Sequence, residues 1–418
     1  MSRGIIKNKV FSGGRVTLEI KIILLLLVPV FAILSFGKGK VNGNGFGGIK
    51  ELHVGTPHID YVIMSSDQYQ DNLKEIIWYD DFSTSKTYMD SRGGIDTTVN
   101  FGAIGGSVNV GFKKGDVFGL GDRKVAFGDF PGNGPILKQG QSFNEIYWRI
   151  YVKHEHGWEG FPAKMSRATS IVSQEWQQAM IAHVWNGGGP ILTLDPARGV
   201  FEQTDSIITT KYNDFDNLVW LGNRPTAQFP LTSPEESGYW VLVESRAKLN
   251  TPGKNDGINQ LWIDGRLEAE RKNLNFRGNF TNYGINAVFI ESYWNKGSIK
   301  DQGRWYDNFV ISTKPIGPVI CPRNPTLVKT DYHGEGNLKN WKIELSSDYN
   351  GKEVVFASNL INEDNKVAVN TETGKFLGPL KGKMALAPGT TYFVRVRQQS
   401  THGQWSAWSR WHQGFRVE

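Results

Sequence analysis

Residues 239–271 read YWVLVESRAKLNTPGKNDGINQLWIDGRLEAER, and this stretch decides the fold class that we predict. Apolar and polar residues alternate over 239–249 and over 258–264, which is the period of a half-buried β-strand. The turn sequences Asn255-Asp256-Gly257 and Asp264-Gly265 follow the two strands' ends and are typical of hairpin connections. The stretch therefore predicts antiparallel strands joined by tight turns.

The same pattern recurs along the chain, where short apolar runs are broken by Gly, Asn, Asp and Pro. Further strands are predicted at 145–154, 178–186, 286–293 and 305–312. No amphipathic helix of ordinary length stands out, and many short strands at this spacing are typical of β-sandwiches and barrels. The predicted fold class is all-β, a jelly-roll sandwich followed by a second, smaller β-sandwich.

A proline-rich boundary at 314–318 (KPIGP) separates the two predicted sandwiches, since such clusters are linker chemistry. About 100 residues remain after it, which is the size of an immunoglobulin-like sandwich. The predicted parts are a signal peptide or membrane anchor, a flexible Gly-rich linker, a jelly-roll domain and a C-terminal domain, at residues 1–37, 38–70, 71–316 and 320–418.

The N-terminus has the pattern of an export signal. A basic stretch ends at Lys21, and residues 22–36 form an apolar run interrupted by Pro29. A run of this length fits a cleaved signal peptide better than a membrane span, which needs roughly 20 residues. An uncleaved anchor is the alternative, and it would be the chain's contact with a membrane. Either reading predicts a secreted or cell-surface protein.

Bulk charge and cysteine content exclude several classes of protein. The formal net charge of the 418 residues is +6, and the first 37 residues contribute +4 of it. The small remainder gives no reason to expect a nucleic-acid partner. Cys321 is the single cysteine, so an intrachain disulfide is impossible.

Strand periodicity assigns side chains to the two faces of the jelly roll. In 145–154 the core face carries Ile146, Trp148, Ile150 and Val152. The opposite face carries the row Tyr147, Arg149, Tyr151 and Lys153. Two tyrosines alternating with two cations differ from an ordinary solvated face and resemble the floor of a sugar cleft.

Three more strands offer outward faces of the same kind. Their outward side chains are His183, Trp185, Trp240, Glu244, Arg246, Gln260 and Trp262. Aromatic rings stack on sugar faces, and polar groups bind hydroxyls or carboxylates. We therefore predict a polysaccharide-binding cleft, for a glycan that can be acidic, although each strand alone fits an ordinary surface strand as well.

The C-terminal segment resembles fibronectin type III domains. Residues 386–397 (LAPGTTYFVRVR) match the turn and strand around the corner tyrosine, here Tyr392, whose hydroxyl would bond back to the chain. Residues 404–409 (QWSAWS) match a WSxWS pattern. The resemblance implies that Arg395 and Arg397 stack between tryptophans, as a structural brace rather than a ligand site.

The large domain resembles the concanavalin A-like jelly-roll sandwiches of the polysaccharide lyases that act on alginate or glucuronan, which implies a carbohydrate-active domain. The resemblance spans about 140–313 and rests on SFNEIYWRIYVKHEHGWEGFPAKMSRATS, WQQAMIAHVW, LDPARG, the stretch quoted first, NAVFIESYW and RWYDNFVIST. It implies β-elimination across a uronate, which needs a group that neutralises the carboxylate, a base and an acid. No cofactor is required for this chemistry.

Roles follow from that resemblance. The expected catalytic residues are Arg149 at the carboxylate and Tyr151 and His183 as acid and base, with Lys153 and Lys164 in reserve. The expected substrate-binding residues are Tyr147, Lys153, Trp185, Glu244, Arg246, Gln260 and Trp262. The alginate-lyase motifs are matched only in part, as Tyr-x-Arg-x-Tyr and Ala-His.

A non-catalytic carbohydrate-binding or adhesion protein is the alternative to a lyase. A lyase needs a Tyr or His within hydrogen-bond reach of the Arg or Gln that holds the carboxylate, whereas a binder needs the aromatic platform alone. A glycoside hydrolase would need paired carboxylates. The sequence offers only the single carboxylate of Glu244 in its Glu-Ser-Arg, so hydrolysis is disfavoured.

Two metal hypotheses remain. A structural Ca²⁺ would take oxygen ligands from carboxylates near the first and last strands, here Asp80, Asp81 and Asp307. His154 and His156 form a His-x-His pair of a kind that can bind a metal, but a loop without a metal is the more ordinary reading.

Overall fold

The structure is a computed structural model that describes residues 53–418 except 67, 69–73, 223 and 363. Residues 1–52, which include the predicted signal or anchor and the first part of the predicted linker, lie outside the described residues. Within the described ranges, no helix is long and apolar enough to cross a membrane.

Strands dominate the chain, with short 3₁₀ turns at Phe101–Ala103, Pro234–Glu236 and Gly378–Leu380. The first strands are β1 Ile59–Val62, β2 Ile76–Asp80, β3 Asp90–Ser91, β4 Ile95–Asp96, β5 Ser107–Phe112, β6 Arg123–Phe127, β7 Ile136–Leu137, β8 Glu145–His154, β9 Lys164–Ile171, β10 Gln178–Asn186, β11 Leu192–Arg198, β12 Val200–Phe201, β13 Ser206–Ile207 and β14 Val219–Trp220. The later strands are β15 Trp240–Lys248, β16 Gly257–Ile263, β17 Arg266–Leu274, β18 Ala287–Tyr293, β19 Gln302–Ser312, β20 Ile320–Cys321, β21 Thr326–Lys329, β22 Leu338–Ser346, β23 Val354–Ser358, β24 Lys366–Ala368, β25 Gly374–Phe376, β26 Thr391–Ser400 and β27 His412–Val417.

Two large sheets form the jelly-roll sandwich. The back sheet has the strand order β17-β16-β15-β8-β19-β5-β4, with β2 also paired to β19. The front sheet has the order β14-β11-β10-β9-β18-β6-β3, with β7 paired to β6. The predicted all-β jelly roll is confirmed, and every strand predicted from the sequence is present within a few residues.

The sandwich core lies between the two sheets, and the alternation predicts it correctly. The back sheet contributes Ile146, Trp148, Ile150 and Val152 from β8, and the front sheet contributes Met180, Ala182 and Val184 from β10. All seven side chains are buried in one cluster. Burying a side chain of this size contributes about 1.5–3 kcal/mol, so this layer determines which face of each strand points inward.

The hairpin between β16 and β17 shows why the turn sequence matters. Asp264 and Gly265 both have positive φ, at 47° and 76°. Two residues with positive φ form the mirror-image turn that matches the twist of paired strands. The Asp-Gly pair therefore closes the hairpin predicted from the sequence.

A second sandwich, which we call the C-terminal sandwich, has two sheets with the orders β1-β21-β24 and β20-β27-β26-β22-β23-β25. Its first strand comes from the other end of the described chain, because Ile59 pairs with Lys329. The predicted flexible linker at 38–70 is therefore wrong for residues 59–62. Ile59 and Val62 are buried in the core of this sandwich, and that burial explains why the segment is ordered as a strand.

The local contacts predicted for the C-terminal segment are present. The hydroxyl of Tyr392 accepts a hydrogen bond from the Ala387 amide at 2.9 Å. The Arg397 guanidinium lies 4.8 Å from the ring centre of Trp405 and 4.6 Å from that of Trp408. These cation–π contacts brace β26 from outside, as the structural interpretation of the tryptophans predicted.

The C-terminal sandwich packs against the outward face of the back sheet. Tyr151, Trp240 and Leu242, which point away from the jelly-roll core, belong to one buried cluster with Val319 and Trp341. The back sheet is therefore buried on both faces over β8 and β15, whereas the front sheet has no second sandwich against it within the described residues.

Candidate functional site

Tyr151 and Arg149 lie in the junction with the C-terminal sandwich, not in an open cleft. The Tyr151 hydroxyl accepts a hydrogen bond from the Val319 amide at 3.1 Å, and its ring lies 4.1 Å from that of Phe101. Arg149 is fully buried and donates to the Gly317 carbonyl at 2.9 Å. Both side chains hold the segment that connects the sandwiches, so neither meets a substrate in this arrangement.

Glu244 and Lys153 are engaged in the same junction. The Glu244 carboxylate accepts hydrogen bonds from the amides of Ile316 and Gly317 at 2.9 and 2.8 Å. Lys153 forms an ion pair with Asp60, with an N–O distance of 2.7 Å. The polar row that alternation placed outside the core is therefore a docking surface for the chain's own segments.

Arg246 lies farther along the back sheet. It donates to Glu145 and to Gln260, both at 2.8 Å, and its guanidinium lies 5.5 Å from the ring centre of Tyr147. The ring centres of Tyr147 and Trp262 are 6.5 Å apart. Four residues that were predicted to bind substrate are thus neighbours here. Their side chains contact one another, and neither Tyr151 nor His183 lies beside them.

The predicted catalytic group is wrong as a group. Tyr151 and Arg149 lie on β8 of the back sheet, whereas His183 lies on β10 of the front sheet, on the outward face of the other layer. Residue alternation assigns a side chain to a face of its own strand, but it does not say which sheet the strand joins. The core of the jelly roll therefore separates His183 from the other two residues.

The front sheet's outward face carries its own charged and aromatic side chains, which we call the front face. It is defined by Lys124, Lys164, Arg167, His183, Trp185, Asp195, Glu291 and Tyr293. They stand on β6, β9, β10, β11 and β18, which are neighbours in the sheet. Part of a loop between β13 and β14 lies over them with Tyr212 and Phe215.

Arg167 and Glu291 form the buried centre of the front face. Arg167 is fully buried and its guanidinium grips both carboxylate oxygens of Glu291, with Nε to Oε2 at 2.9 Å. It also donates to Asn213 at 2.6 Å and to the Tyr212 hydroxyl at 2.9 Å. Burial alone would raise the pKa of Glu291, but the charges of Arg167 and Lys164 outweigh it and hold the pKa below its ordinary value.

Lys164 stands at the edge of this centre. It is opposite Trp185 on one neighbouring strand and opposite Tyr293 on the other. Its Nζ lies 5.0 Å from the Tyr293 ring centre and 3.9 Å from Oε1 of Glu291, and its side chain is 12% exposed. Burial lowers the pKa of Lys164, which the charge of Glu291 only partly offsets. The geometry gives a cation that solvent reaches and that gives up its proton more readily than an ordinary lysine.

His183 is present on this face but covered. Its Nδ1 lies 3.0 Å from the Asp195 carbonyl, and its ring lies 4.0 Å from that of Trp185 and 5.8 Å from that of Trp220. Burial, followed by the charge of Arg167, lowers its pKa well below the ordinary value. Because the side chain is fully buried, His183 is a neutral support for the aromatic rings and lies out of reach of a substrate.

Aromatic rings border Lys164 on both sides. Trp185, Phe215 and Trp220 form one group, with ring centres 5.9–6.0 Å apart. On the other side the exposed ring of Phe118 lies 5.0 Å from that of Tyr293. A partly exposed lysine between two aromatic groups fits a sugar chain that carries a negative charge.

Sequence reasoning missed most of this face. Lys164 appeared only as a reserve candidate, and Arg167, Glu291 and Tyr293 were not singled out. The signal was the run KMSRATS at 164–170, which places Lys164 and Arg167 on a strand next to the one that bears His183. Its weak alternation hid the strand, since its inward positions mix Met165 and Ala168 with the small polar Ser166.

Two carboxylates of the predicted calcium site already accept hydrogen bonds from other groups of the protein. Asp307 is fully buried and accepts a hydrogen bond from the Phe101 amide at 2.7 Å. Asp81 accepts from the amide and hydroxyl of Ser83 at 3.0 and 2.6 Å. Among the described residues no three His, Cys, Asp or Glu side chains are grouped to hold a metal ion. The structure adds no support to the calcium site, which stays a prediction.

Comparisons with known proteins bring up lyases at low similarity. An endo-β-1,4-glucuronan lyase from the fungus Trichoderma reesei is 14% identical, with a TM-score of 0.37 over 57% of this chain and 96% of that chain. The alginate lyase vAL-1 from Chlorella virus is 16% identical, with a TM-score of 0.37 over 53% and 92% of the two chains. A marine alginate lyase from Aplysia kurodai is 13% identical, with a TM-score of 0.33 over 53% and 87%.

No protein-family model matches the sequence, and no curated protein matches it either. At the identities and TM-scores of the three lyases, the similarity says nothing of this protein's activity. Function therefore has to be argued from the front face itself.

Proposed function

We propose that the protein is an exported carbohydrate-active protein that binds a uronate-containing polysaccharide on the front face and cleaves it by β-elimination. The observation that carries the proposal is the placement of Lys164 between Trp185 and Tyr293, at the accessible edge of a buried ion pair. Export follows from the basic and apolar N-terminal segment.

Lys164 suits the role of base. A lysine removes a proton only in its neutral form, and burial on this face shifts its equilibrium toward that form. The Lys164 Nζ lies 3.9 Å from Glu291, in a loose ion pair without a hydrogen bond, so this carboxylate offsets the effect of burial only in part. Arg167 stays charged beside Glu291 and disfavours a second positive charge nearby.

The elimination can be assigned to groups on this face. Lys164 takes the proton from C5 of the uronate, and the electron pair forms the C4–C5 double bond as the C4–O bond breaks. The Tyr293 hydroxyl gives its proton to the leaving oxygen. Arg224, whose side chain is largely exposed and whose Nε lies 3.1 Å from Asp195, supplies positive charge for the uronate carboxylate.

A non-catalytic sugar-binding protein is the second candidate, and one observation favours it. Arg167, the most central cation of the face, is neutralised by Glu291 and has no exposed surface. The Tyr212 hydroxyl lies 2.9 Å from its guanidinium, as a lyase requires, but the guanidinium itself is shielded from solvent. A binder needs only the two aromatic groups around Lys164.

The deciding experiment measures the ultraviolet absorbance of an unsaturated uronate while the protein acts on alginate, glucuronan, pectate and glycosaminoglycans. We expect an increase on one of these glycans and its loss in Lys164→Ala. The matched control is Lys272→Ala, which removes a largely exposed lysine from edge strand β17 of the back sheet. No increase on any substrate, combined with retention on glycan affinity gels, would replace the lyase by the binding protein.

A further inference from the structure

Two histidine pairs lie at the junction between the jelly roll and the C-terminal sandwich. In the first, Nδ1 of His58 lies 3.2 Å from Nε2 of His412, and both side chains are buried. In the second, the rings of His156 and His333 are stacked with their centres 3.8 Å apart and their planes 11° apart. The chain has eight histidines, so half of them meet pairwise at this one junction.

The buried pair is built for neutral imidazoles. In the neutral pair, one ring nitrogen donates its N–H and the other accepts. An additional proton on each ring would remove the acceptor and place two cations 3.2 Å apart. The His58 ring also lies flat on Tyr239 of the jelly roll, at 4.1 Å and 8°. Protonation of both rings therefore disturbs a contact between the two sandwiches.

The charged groups around the pair would not stabilise a positive charge on both rings. Asp264 lies 3.7 Å from Nδ1 of His412, but Arg410 already donates to this carboxylate at 2.5 Å. Arg410 also lies 3.8 Å from Glu236. The charged and titratable groups facing the two rings are Tyr239, Glu236 and Asp264 from the jelly roll, His156 from the loop after β8, and Arg410 from the C-terminal sandwich.

The pKa shifts agree with this geometry. Burial, followed by the nearby His412, lowers the pKa of His58 to about 2. Burial, followed by Arg410, lowers the pKa of His412 to about 4, against 6.5 for an ordinary histidine. Burial and the stacked His333 also lower the pKa of His156.

The exposed pair lies at the mouth of a cavity of about 810 Å³ between the sandwiches. Its walls include His58 and both members of the exposed pair. The ion pair of Lys153 with Asp60 and the buried Lys329 also line it, so water and protons have a route to the junction.

We propose that the two histidine pairs make the junction an acid-sensitive latch, which is closed at neutral pH and releases the C-terminal sandwich from the back sheet on acidification. The released state exposes the imidazoles of His58 and His412, which then take up protons below pH 6.5, whereas the buried rings of the closed state stay neutral there. The closed state therefore loses stability as the pH falls through that value. Each buried histidine weakens closure about tenfold per pH unit below it, and the two together about a hundredfold.

This latch is independent of the proposed lyase activity. The front face lies on the other sheet, and none of its residues takes part in the junction. The two proposals can therefore fail separately. The lyase activity is measured by the absorbance of its product, and the latch is measured by the radius of gyration of the protein.

The test follows the radius of gyration by small-angle X-ray scattering, and β-structure by far-ultraviolet circular dichroism, on the purified protein from about pH 8 to about pH 4. We expect the radius to increase below pH 6.5 while the β-signal is kept. His58→Phe keeps a ring against Tyr239 without a titrating group. It should shift the midpoint of the increase to lower pH by at least about half a unit and reduce its steepness from two protons toward one.

His402→Phe is the matched control, because His402 is exposed and belongs to neither pair. It should leave the curve unchanged. If His58→Phe does not fold, His58→Gln replaces it with the same expectation. A constant radius throughout, an equal curve in wild type and variant, or a radius that increases only together with loss of the β-signal would overturn the latch.

Discussion

The outward faces of the front and back sheets have similar compositions and different uses. Each alternates aromatic side chains with lysine, arginine and glutamate. On the back sheet those groups hold the chain's own backbone, as when Glu244 accepts hydrogen bonds from Ile316 and Gly317. On the front face, Lys164 keeps contact with solvent between two aromatic groups. The composition of a sheet face therefore indicates that the face binds a partner. Only the packing shows whether that partner is another segment of the chain or a separate molecule.

The largest effect that separates the two faces concerns their lysines. Lys164→Arg keeps the charge but removes a base that can become neutral, so the elimination rate should fall about a thousandfold. Lys153→Arg on the back sheet can still pair with Asp60 and should leave the rate within about twofold. Initial rates on the best glycan are compared. Equal losses in both variants would contradict the distinction between the faces.

The same lysine sets the direction of the pH dependence. Because the pKa of Lys164 is lowered below 10.5, its neutral fraction grows as the pH increases toward that value. The rate should increase with pH and reach half of its maximum below pH 10.5. A rate profile that is flat from neutral pH upward would exclude Lys164 as the titrating base.

Buried carboxylates give the next comparison. Glu291→Gln leaves the buried Arg167 charge without its partner, which should lower the free energy of unfolding by about 3 kcal/mol. Glu244→Gln on the back sheet still offers one carbonyl acceptor to two backbone amides, and about 1 kcal/mol is expected. Urea unfolding of the two variants measures both values. The reverse order would mean that the front-face pair contributes less than its burial indicates.

Aromatic residues should divide in the same way with a smaller effect. Trp185→Ala should weaken glycan retention about tenfold, because a stacking ring beside Lys164 is lost. Trp262→Ala on the back sheet, predicted from the sequence as a sugar contact, should leave retention unchanged. Affinity electrophoresis on the same glycan compares them, and equal retention of the two variants would remove the front face as the binding surface.

The smallest expected effect belongs to Tyr151. Tyr151→Phe removes one hydrogen bond to the Val319 amide and should lower the free energy of unfolding by about 1 kcal/mol. The elimination rate should stay as in the unmodified protein. A large loss of rate would restore the sequence-based assignment of Tyr151 to catalysis.

Local features of the fold could be predicted because they depend on neighbours in the chain. The alternation in β8 identified its buried face, and the Asp264-Gly265 turn identified a hairpin. Long-range assembly could not be predicted in this way. The sequences of β8 and β10 do not indicate that one strand joins the back sheet and the other the front sheet. Tyr151 and His183 were grouped wrongly for this reason.

The candidate site was predicted less well than the fold for a related reason. The pairing of Lys164 with both Trp185 and Tyr293 depends on register shifts in β10 and β18, which single-strand periodicity does not show. Burial of His183 depends on Trp220 from edge strand β14 and on Phe215 from the loop before it. A residue's type could be read from the sequence, but its access to solvent could not.

The pairing of β1 with β21 has a consequence for how the chain is made. The C-terminal sandwich is discontinuous, with the whole jelly roll inserted between its first strand and the remainder. During synthesis β1 must wait unpaired until β21 has been translated, while the jelly roll between them has all of its strands available. A fragment that begins at residue 320 would therefore lack an edge strand of its own sheet and expose β21 to pairing with other chains.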